Sequence, residues 1–215
     1  MEPRRTLVIA CGALARELLR IRELNGWDHV EIQCLPARLH NTPAEIPGAV
    51  RAKIEAMEDG FDRVFIAYAD CGTAGALDRV LGDYGIERIP GAHCYEFFAG
   101  HESFGELANE EPGSLYLTDF LVRHFDRLVI GGLGLDRHPE LAEHYFRNYH
   151  RVVHLAQDGE EALRRKAAGH AQRLGLDFVY RHHGDEPLAS VLKPRLVNAP
   201  ASDGIQQVAP SERTT

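Results

Sequence analysis

The fold is decided by residues 7–19, which read LVIACGALARELL. The first four residues form an uninterrupted apolar run, which is typical of a buried strand in a parallel sheet. Leu14 and Leu18 then recur at the spacing of one helix face. Cys11 and Gly12 stand where the apolar strand pattern ends and the helical spacing begins. The stretch therefore predicts a strand, a tight turn and a helix, which is the first half of a βαβ unit.

The same alternation continues along the chain. Strand patterns occur near residues 6–10, 30–34, 63–68, 127–131, 151–155 and 177–181. Helical patterns cover residues 13–24, 46–57, 73–81, 115–125, 139–149 and 159–174. This order predicts an α/β fold of three layers, with a mainly parallel sheet and helices on both faces. We expect a single domain over residues 1–196 and a disordered tail over residues 197–215, where apolar residues are scarce.

Composition and charge exclude several classes of protein. The 215 residues carry a formal net charge of −8, with basic residues scattered among acidic ones, so nucleic acid is not an expected partner. No apolar run reaches the length of a membrane span, and the first residues lack the apolar core of a signal peptide. We therefore expect a cytoplasmic protein. Four cysteines in such a protein favour thiol chemistry or metal binding over a disulfide framework.

Three of the cysteines stand where βα turns are predicted. Cys11 follows the first strand, Cys71 follows residues 64–68, and Cys94 comes directly after His93. Ligands bind at the carboxyl ends of the strands in open α/β sheets, so three thiols at such ends indicate a shared site. Cys34 lies inside or at the end of the second strand and is more typical of a small buried hydrophobic residue.

Thiolate and imidazole are the ligands that zinc prefers. His40 follows the second predicted strand and therefore belongs at the same edge of the sheet. We predict a zinc site with these ligands: Cys11, His40, Cys71, His93 and Cys94. Ligands from separate turns are more typical of an open catalytic site than of a zinc finger. An iron–sulfur cluster is the alternative metal site. Cysteines that are simply buried at strand ends, without any metal, would explain the same pattern.

Further candidates surround the predicted ligands. Asp70 and Glu96 are candidates for acid–base catalysis, although a solvated turn carboxylate has the same sequence signal. Gly72, Gly131 and Gly132 are candidates for contacting a cofactor, because glycine lets the backbone approach a ligand. The turn at residues 131–136 resembles a phosphate-binding loop only loosely, since it lacks the lysine and the spacing of a P-loop. Five histidines on predicted helix or strand faces are interpreted as solvated or locally bonded: His124, His144, His150, His154 and His170.

Four blocks of sequence carry a resemblance to a known family. They read LHNTP at residues 39–43, YADCGT at 68–73, GAHCYEF at 91–97 and GSLYLTDF at 113–120. Together they resemble the domain of unknown function 1638 over nearly the whole chain up to the tail. The resemblance implies matching positions for His40, Cys71 and Cys94, and an association with corrinoid-dependent methyl transfer. Residues 136–140 read DRHPE and do not continue to the glycine of the DxHxxG loop of corrinoid carriers, so direct cobalamin binding by that route is not expected.

Four functions follow as hypotheses. The first is a zinc-dependent methyl or thiol transferase, or a component of such a system, acting on a small molecule with a corrinoid protein or methyltransferase as partner. The second is an iron–sulfur protein, and the third is a non-catalytic accessory module that binds a small ligand. The fourth is a metal-free cysteine hydrolase or transferase that uses Cys71 or Cys94 with His40 or His93.

Overall fold

The computed structural model describes residues 4–57 and 60–197. Apart from Val197, the predicted tail lies outside the described residues. The strands are β1 (Thr6–Cys11), β2 (Val30–Leu35), β3 (Arg63–Ala67), β4 (Ser114–Thr118), β5 (Arg151–Ala156) and β6 (Asp177–His182). The helices are α1 (Ala15–Leu24), α2 (Ile46–Met57), α3 (Ala76–Tyr84), α4 (Tyr95–Ala99), α5 (His101–Glu110), α6 (Asp119–Arg123), α7 (Leu141–Phe146), α8 (Glu161–Leu174) and α9 (Glu186–Leu196).

The prediction of an α/β protein with parallel strands is confirmed. The strands form two three-stranded parallel sheets where one sheet was predicted, in the orders β2-β1-β3 and β4-β5-β6. Residue contacts divide the described residues into two compact units, residues 4–57 and 60–93 with 192–197, and residues 94–191. No helix among the described residues is long and apolar enough to cross a membrane.

The first unit is built around the central strand β1. Thr6 of β1 pairs with Val30 of β2 on one side and with Arg63 of β3 on the other. Alternate residues of these strands, such as Leu7, Ile9 and Ile66, pack with apolar residues of α2 and α3 in one core. The chain thus leaves β1 in one direction, reaches β2, and crosses back over β1 to form β3. This reversal is a topological switch point, and in open α/β sheets the ligand crevice lies at such a point, which here is between the carboxyl ends of β1 and β3.

The second unit buries its sheet on both faces. Val152 of β5 belongs to a core with residues of α6 and α8. The next residue, Val153, belongs to another core with Ala99 of α4 and Leu107 of α5. Burial of both faces explains why β5 reads as a nearly continuous apolar run. The order β4-β5-β6 follows the chain without a reversal, so this sheet has no switch point.

Two assignments in the second unit were wrong. Residues 127–131, predicted as a strand, lie in one π-helical turn, Asp126–Ile130, which the amide of Gly131 closes by donating to the Asp126 carbonyl at 2.8 Å. A Cβ at Gly131 would lie 3.1 Å from the Arg127 carbonyl oxygen, so glycine suits this tight turn. The apolar run misled the prediction because Leu128 and Ile130 are buried by a helical turn instead.

Residues 115–125, predicted as one helix, contain strand β4 followed by the short helix α6. Leu117 packs in the core that contains α8, whereas Tyr116 packs against the core that contains α5. This alternation between faces is that of a strand. The hydroxyl of Thr118 accepts a hydrogen bond from the Leu121 amide at 3.3 Å and so begins the helix.

Candidate functional site

The candidate site is the crevice at the carboxyl ends of β1 and β3. Cys11 is the last residue of β1, and Tyr68 directly follows β3. The register pairs Ile9 with Ile66, so continuing it by two residues puts Cys11 and Tyr68 on the same face of the sheet. Cys34 pairs with Ala10 through β2 and therefore lies on the opposite face. The fold thus selects Cys11, not Cys34, for the crevice.

Cys11 is partly buried, and its environment keeps the thiol protonated. Burial raises its pKa to about 11, although the Ala13 amide donates a hydrogen bond to Sγ at 3.5 Å and opposes this effect. The neighbouring thiol of Cys71 raises the pKa further, because two thiolates would repel each other. The charge of Cys34 raises it as well, so this effect does not single out Cys71, and a site shared by Cys11 and Cys71 stays a prediction.

Tyr68 is a feature of the crevice that the sequence did not reveal. Its side chain is 1% exposed, and its hydroxyl has no hydrogen-bond partner among the described residues. The hydroxyl lies near enough to Sγ of Cys11 to affect the pKa of both groups, but the approach falls outside the geometry of a normal hydrogen bond. Burial, followed by the charges of Cys11 and Cys71, raises the pKa of Tyr68. The crevice thus contains a neutral, unused hydroxyl next to two thiols.

The loop that carries Cys71 is held by Asp70. Its carboxylate accepts hydrogen bonds from the Thr73 hydroxyl at 3.0 Å, the Ala74 amide at 3.0 Å and the Gly75 amide at 2.7 Å. These bonds, that of Gly75 first, lower the pKa of Asp70. Asp70 therefore positions the loop as an ionised acceptor. Its predicted role in acid–base catalysis stays a prediction.

Backbone conformation is unusual along this loop. Cys71 and Ala74 have φ values of 50° and 51°, which L-residues rarely adopt. Cys71 is held there by its amide, which donates to the Ala92 carbonyl at 2.9 Å. Such conformations cost of order 1–3 kcal/mol and concentrate at ligand-binding sites. Gly72 continues the turn with φ 85°, and a Cβ on it would lie 3.4 Å from Cγ of Pro43.

Pro43 places the loop of His40 beside the loop of Cys71. Leu39 is 4% exposed and anchors the His40 loop in the core of the first unit. The imidazole of His40 is exposed, but partial desolvation by the surrounding protein lowers its pKa, and the charge of His93 lowers it further. His40 and His93 therefore lie near each other, and both are on the surface.

The described residues contain no group of three or more His, Cys, Asp or Glu side chains that could hold a metal ion. A closed zinc site, which takes four ligands, therefore does not fit this structure. Cys11 and Cys71 both pack against the core of the first unit, and His40 and His93 belong to the same unit. Cys94 begins the second unit.

The remaining predicted residues lie in the second unit. Glu96, in α4, pairs through Oε2 with Nδ1 of His101 at 2.8 Å. Gly131 and Gly132 follow a helical turn instead of a strand, so the predicted βα turn is absent there. Their contact with a cofactor stays a prediction, but their position no longer supports it as a βα turn would have done.

Comparison with known proteins places the chain in a family. A family model described as a protein of unknown function (DUF1638) matches residues 34–192. The chain belongs to this family. The DUF1638 match includes the loops of His40, Cys71 and His93, but begins after Cys11. No curated protein and no solved structure matches the chain.

A second polar cluster escaped the sequence prediction. Oδ1 of Asp119 lies 2.8 Å from Nε2 of His154, and both side chains are 1% exposed. The other carboxylate oxygen, Oδ2, accepts hydrogen bonds from the amides of Gln157 and Asp158 at 3.1 and 2.8 Å. His154 was expected to be solvated or locally bonded, but it is bonded to a residue far away in the sequence. The cluster joins the ends of β4 and β5.

Proposed function

We propose that the first unit binds a thiophilic metal ion, Zn²⁺ in the first instance, through Cys11 and Cys71. The proposal is supported by the position of the two thiols, since both pack against the core of the first unit and belong to the ends of two neighbouring strands. Two protein thiolates leave coordination positions open, which small exogenous ligands such as thiols or water would complete. The described residues do not form a closed four-ligand metal site, so the proposal is for an open site with two protein ligands.

The environment of the thiols supports metal binding over metal-free catalysis at Cys11. A thiol whose pKa is about 11 is a poor nucleophile at neutral pH. A bound cation would stabilise the thiolates and remove the repulsion between them. The unused Tyr68 hydroxyl supports a polar occupant of the crevice, because a buried hydroxyl without a partner is costly unless a ligand uses it.

The activity that we propose is methyl or thiol transfer involving a small molecule, with a corrinoid protein or methyltransferase as partner. Bound zinc would lower the pKa of a coordinated thiol, and the resulting thiolate is the nucleophile that group transfer to sulfur needs. His40 and His93, near each other on the surface, are the nitrogen donors that we propose for the same unit. An iron–sulfur cluster has less support, because it takes four ligands and Cys34 lies on the other face of the sheet.

We retain a single three-layer domain over residues 1–196 as a proposal.

The test is metal content together with a spectroscopic count of thiolate ligands. Protein purified without added metal or chelator is analysed for zinc and iron, and Co²⁺ is then used as a coloured substitute. We expect about one metal ion per chain and a thiolate-to-cobalt charge-transfer band. Cys11→Ser and Cys71→Ser should each weaken that band by about half and reduce zinc affinity at least tenfold.

Cys34→Ser is the matched control, because it removes a thiol from the same sheet but from the opposite face. It should leave both the zinc content and the cobalt band unchanged. Full zinc affinity in the Cys71→Ser protein would refute the proposal. Equal losses in all three variants would assign the metal to another arrangement of thiols and would refute it as well.

A further inference from the structure

A groove in the second unit lies between helix α5 and the end of strand β6. Its volume is about 430 Å³, within the range of small-molecule sites. Its α5 side presents Ser103, Glu106, Leu107 and Glu110, which share one face of the helix at spacings of three and four. Its β6 side presents Arg181 and His183. Leu107 is buried and forms the apolar part of the lining.

The charges on the two sides face each other without closing an ion pair. Neither Glu106 nor Arg181 has an oppositely charged partner within 4 Å among the described residues, although both line the same groove. Within the described part of the chain, the Arg181 guanidinium donates to the Tyr180 carbonyl alone, at 3.2 Å. Glu110 differs, because Arg151 lies 3.3 Å from its carboxylate and balances its charge. One anion and one cation are therefore left on opposite sides of the groove.

His183 adds an unused hydrogen-bonding atom. Its Nε2 is buried and has no hydrogen-bond partner among the described residues. Burial lowers the pKa of His183, and the charges of His182 and Arg181 lower it further, so the ring is neutral at pH 7. A neutral ring adds no charge to the lining. It offers one hydrogen bond, whose direction depends on the tautomer.

We infer that this groove binds a small zwitterion, an aliphatic amino acid whose ammonium group meets Glu106 and whose carboxylate meets Arg181. The two charges of such a ligand match the two uncompensated charges of the lining. The ligand completes both ion pairs at once and gives Nε2 of His183 a partner. Arginine suits the carboxylate end, because its planar fork can donate two parallel hydrogen bonds.

Calorimetric titration of the full chain tests the inference. The zwitterions are glycine, β-alanine, γ-aminobutyrate and 5-aminovalerate, which separate the two charges by increasing distances. Butyrate and butylamine carry one charge each. We expect at least one of the four zwitterions to bind, and to bind at least tenfold more tightly than either butyrate or butylamine.

Two variants locate the binding. Arg181→Gln and Glu106→Gln should each weaken binding of the preferred zwitterion at least tenfold. All positions changed are exposed, so the variants should fold normally. Arg165→Gln on α8 and Glu102→Gln at the start of α5 are the controls, and both should bind as the unchanged protein does. Absence of binding by all four zwitterions, equal binding of butyrate, or full affinity in the Arg181→Gln protein would each overturn the inference.

Discussion

Tyr68 shows at the scale of one residue how a site can be recognised by what it leaves unused. The phenolic hydroxyl is buried at the end of β3 and has no hydrogen-bond partner among the described residues. An unsatisfied buried polar group costs roughly 1–3 kcal/mol. Folding alone therefore gives no reason for a tyrosine at this position, whereas a polar ligand in the crevice does.

Tyr68→Phe should consequently leave the free energy of unfolding unchanged or raise it by up to about 1 kcal/mol. Tyr84 provides the control, because its hydroxyl donates to Oε1 of Glu55 at 2.8 Å. Tyr84→Phe should lower the free energy of unfolding by about 1 kcal/mol. Urea denaturation measures both variants. A loss above 1 kcal/mol for Tyr68→Phe would mean that the hydroxyl has a partner in the folded protein.

Cys11 makes a prediction about reactivity. Its pKa of about 11 leaves roughly a hundredfold less thiolate at pH 8 than an ordinary thiol of pKa 9.0 would have. Burial raises the pKa of Cys34 as well, but Cys34 is exposed and Cys11 is partly buried, so iodoacetamide at pH 8 should alkylate Cys11 several-fold more slowly than Cys34, as read by peptide mass spectrometry. The rate at Cys11 should keep rising with pH up to about 11. Alkylation of both cysteines at equal rates would contradict the raised pKa.

At the scale of elements, the loop after β3 depends on backbone conformation. Gly72 has φ 85°, where a Cβ is strained, so Gly72→Ala should lower the free energy of unfolding by about 1–2 kcal/mol. Gly48 lies in helix α2 with nothing within 4 Å of an added Cβ, so Gly48→Ala should raise it by about 0.5–1 kcal/mol. Urea denaturation of the two variants should thus show opposite signs. The same sign in both would show that the loop can relax.

The ends of β4 and β5 are joined by the buried carboxylate of Asp119. Its hydrogen bond with His154 is the first of the contacts that lower its pKa, although burial opposes them. A carboxylate with a lowered pKa stabilises the fold above its unfolded pKa of about 3.8, and this stability is lost as the pH falls through the lower folded pKa. Asp119→Ala should cost about 3–5 kcal/mol at pH 7, because it leaves His154 and two amides buried without partners.

Asp119→Asn tests the acid dependence separately from the packing. It keeps the shape of the side chain but removes the titrating group. The unchanged protein should lose stability between pH 4 and pH 2 more steeply than the Asn variant, as measured by urea denaturation at each pH. Equal slopes would show that Asp119 does not titrate differently in the folded and unfolded states.

The elements that could be predicted from the sequence are those with one clear period. Strands β1 and β2 have uninterrupted patterns and were placed within one residue of their observed ends. Strand β4 was missed because its five residues run directly into α6, so that a window across both looks helical. The run at 128–130 is apolar in the manner of a strand, but Gly131 permits a helical turn that periodicity does not report.

At the scale of the whole molecule, the sequence could indicate which residues stand at strand ends but not which strands are neighbours. Cys11 and Cys71 belong to neighbouring strand ends because β1 and β3 are adjacent, which depends on the strand order β2-β1-β3. Cys94 was grouped with them by the same rule; it begins the second unit, and its part in the site stays a prediction. Tyr68 and the pair Asp119–His154 depend on long-range packing, and no local motif marks them.

The two proposals use residues of different units and should therefore fail separately. Cys71→Ser should lose zinc affinity at least tenfold and keep its affinity for the preferred zwitterion. Arg181→Gln should show the reverse, because it leaves both thiols in place. Metal titration and calorimetry on the same two preparations measure all four affinities. Loss of both affinities in either variant would show that the substitution damages the fold, since neither residue belongs to both proposed sites.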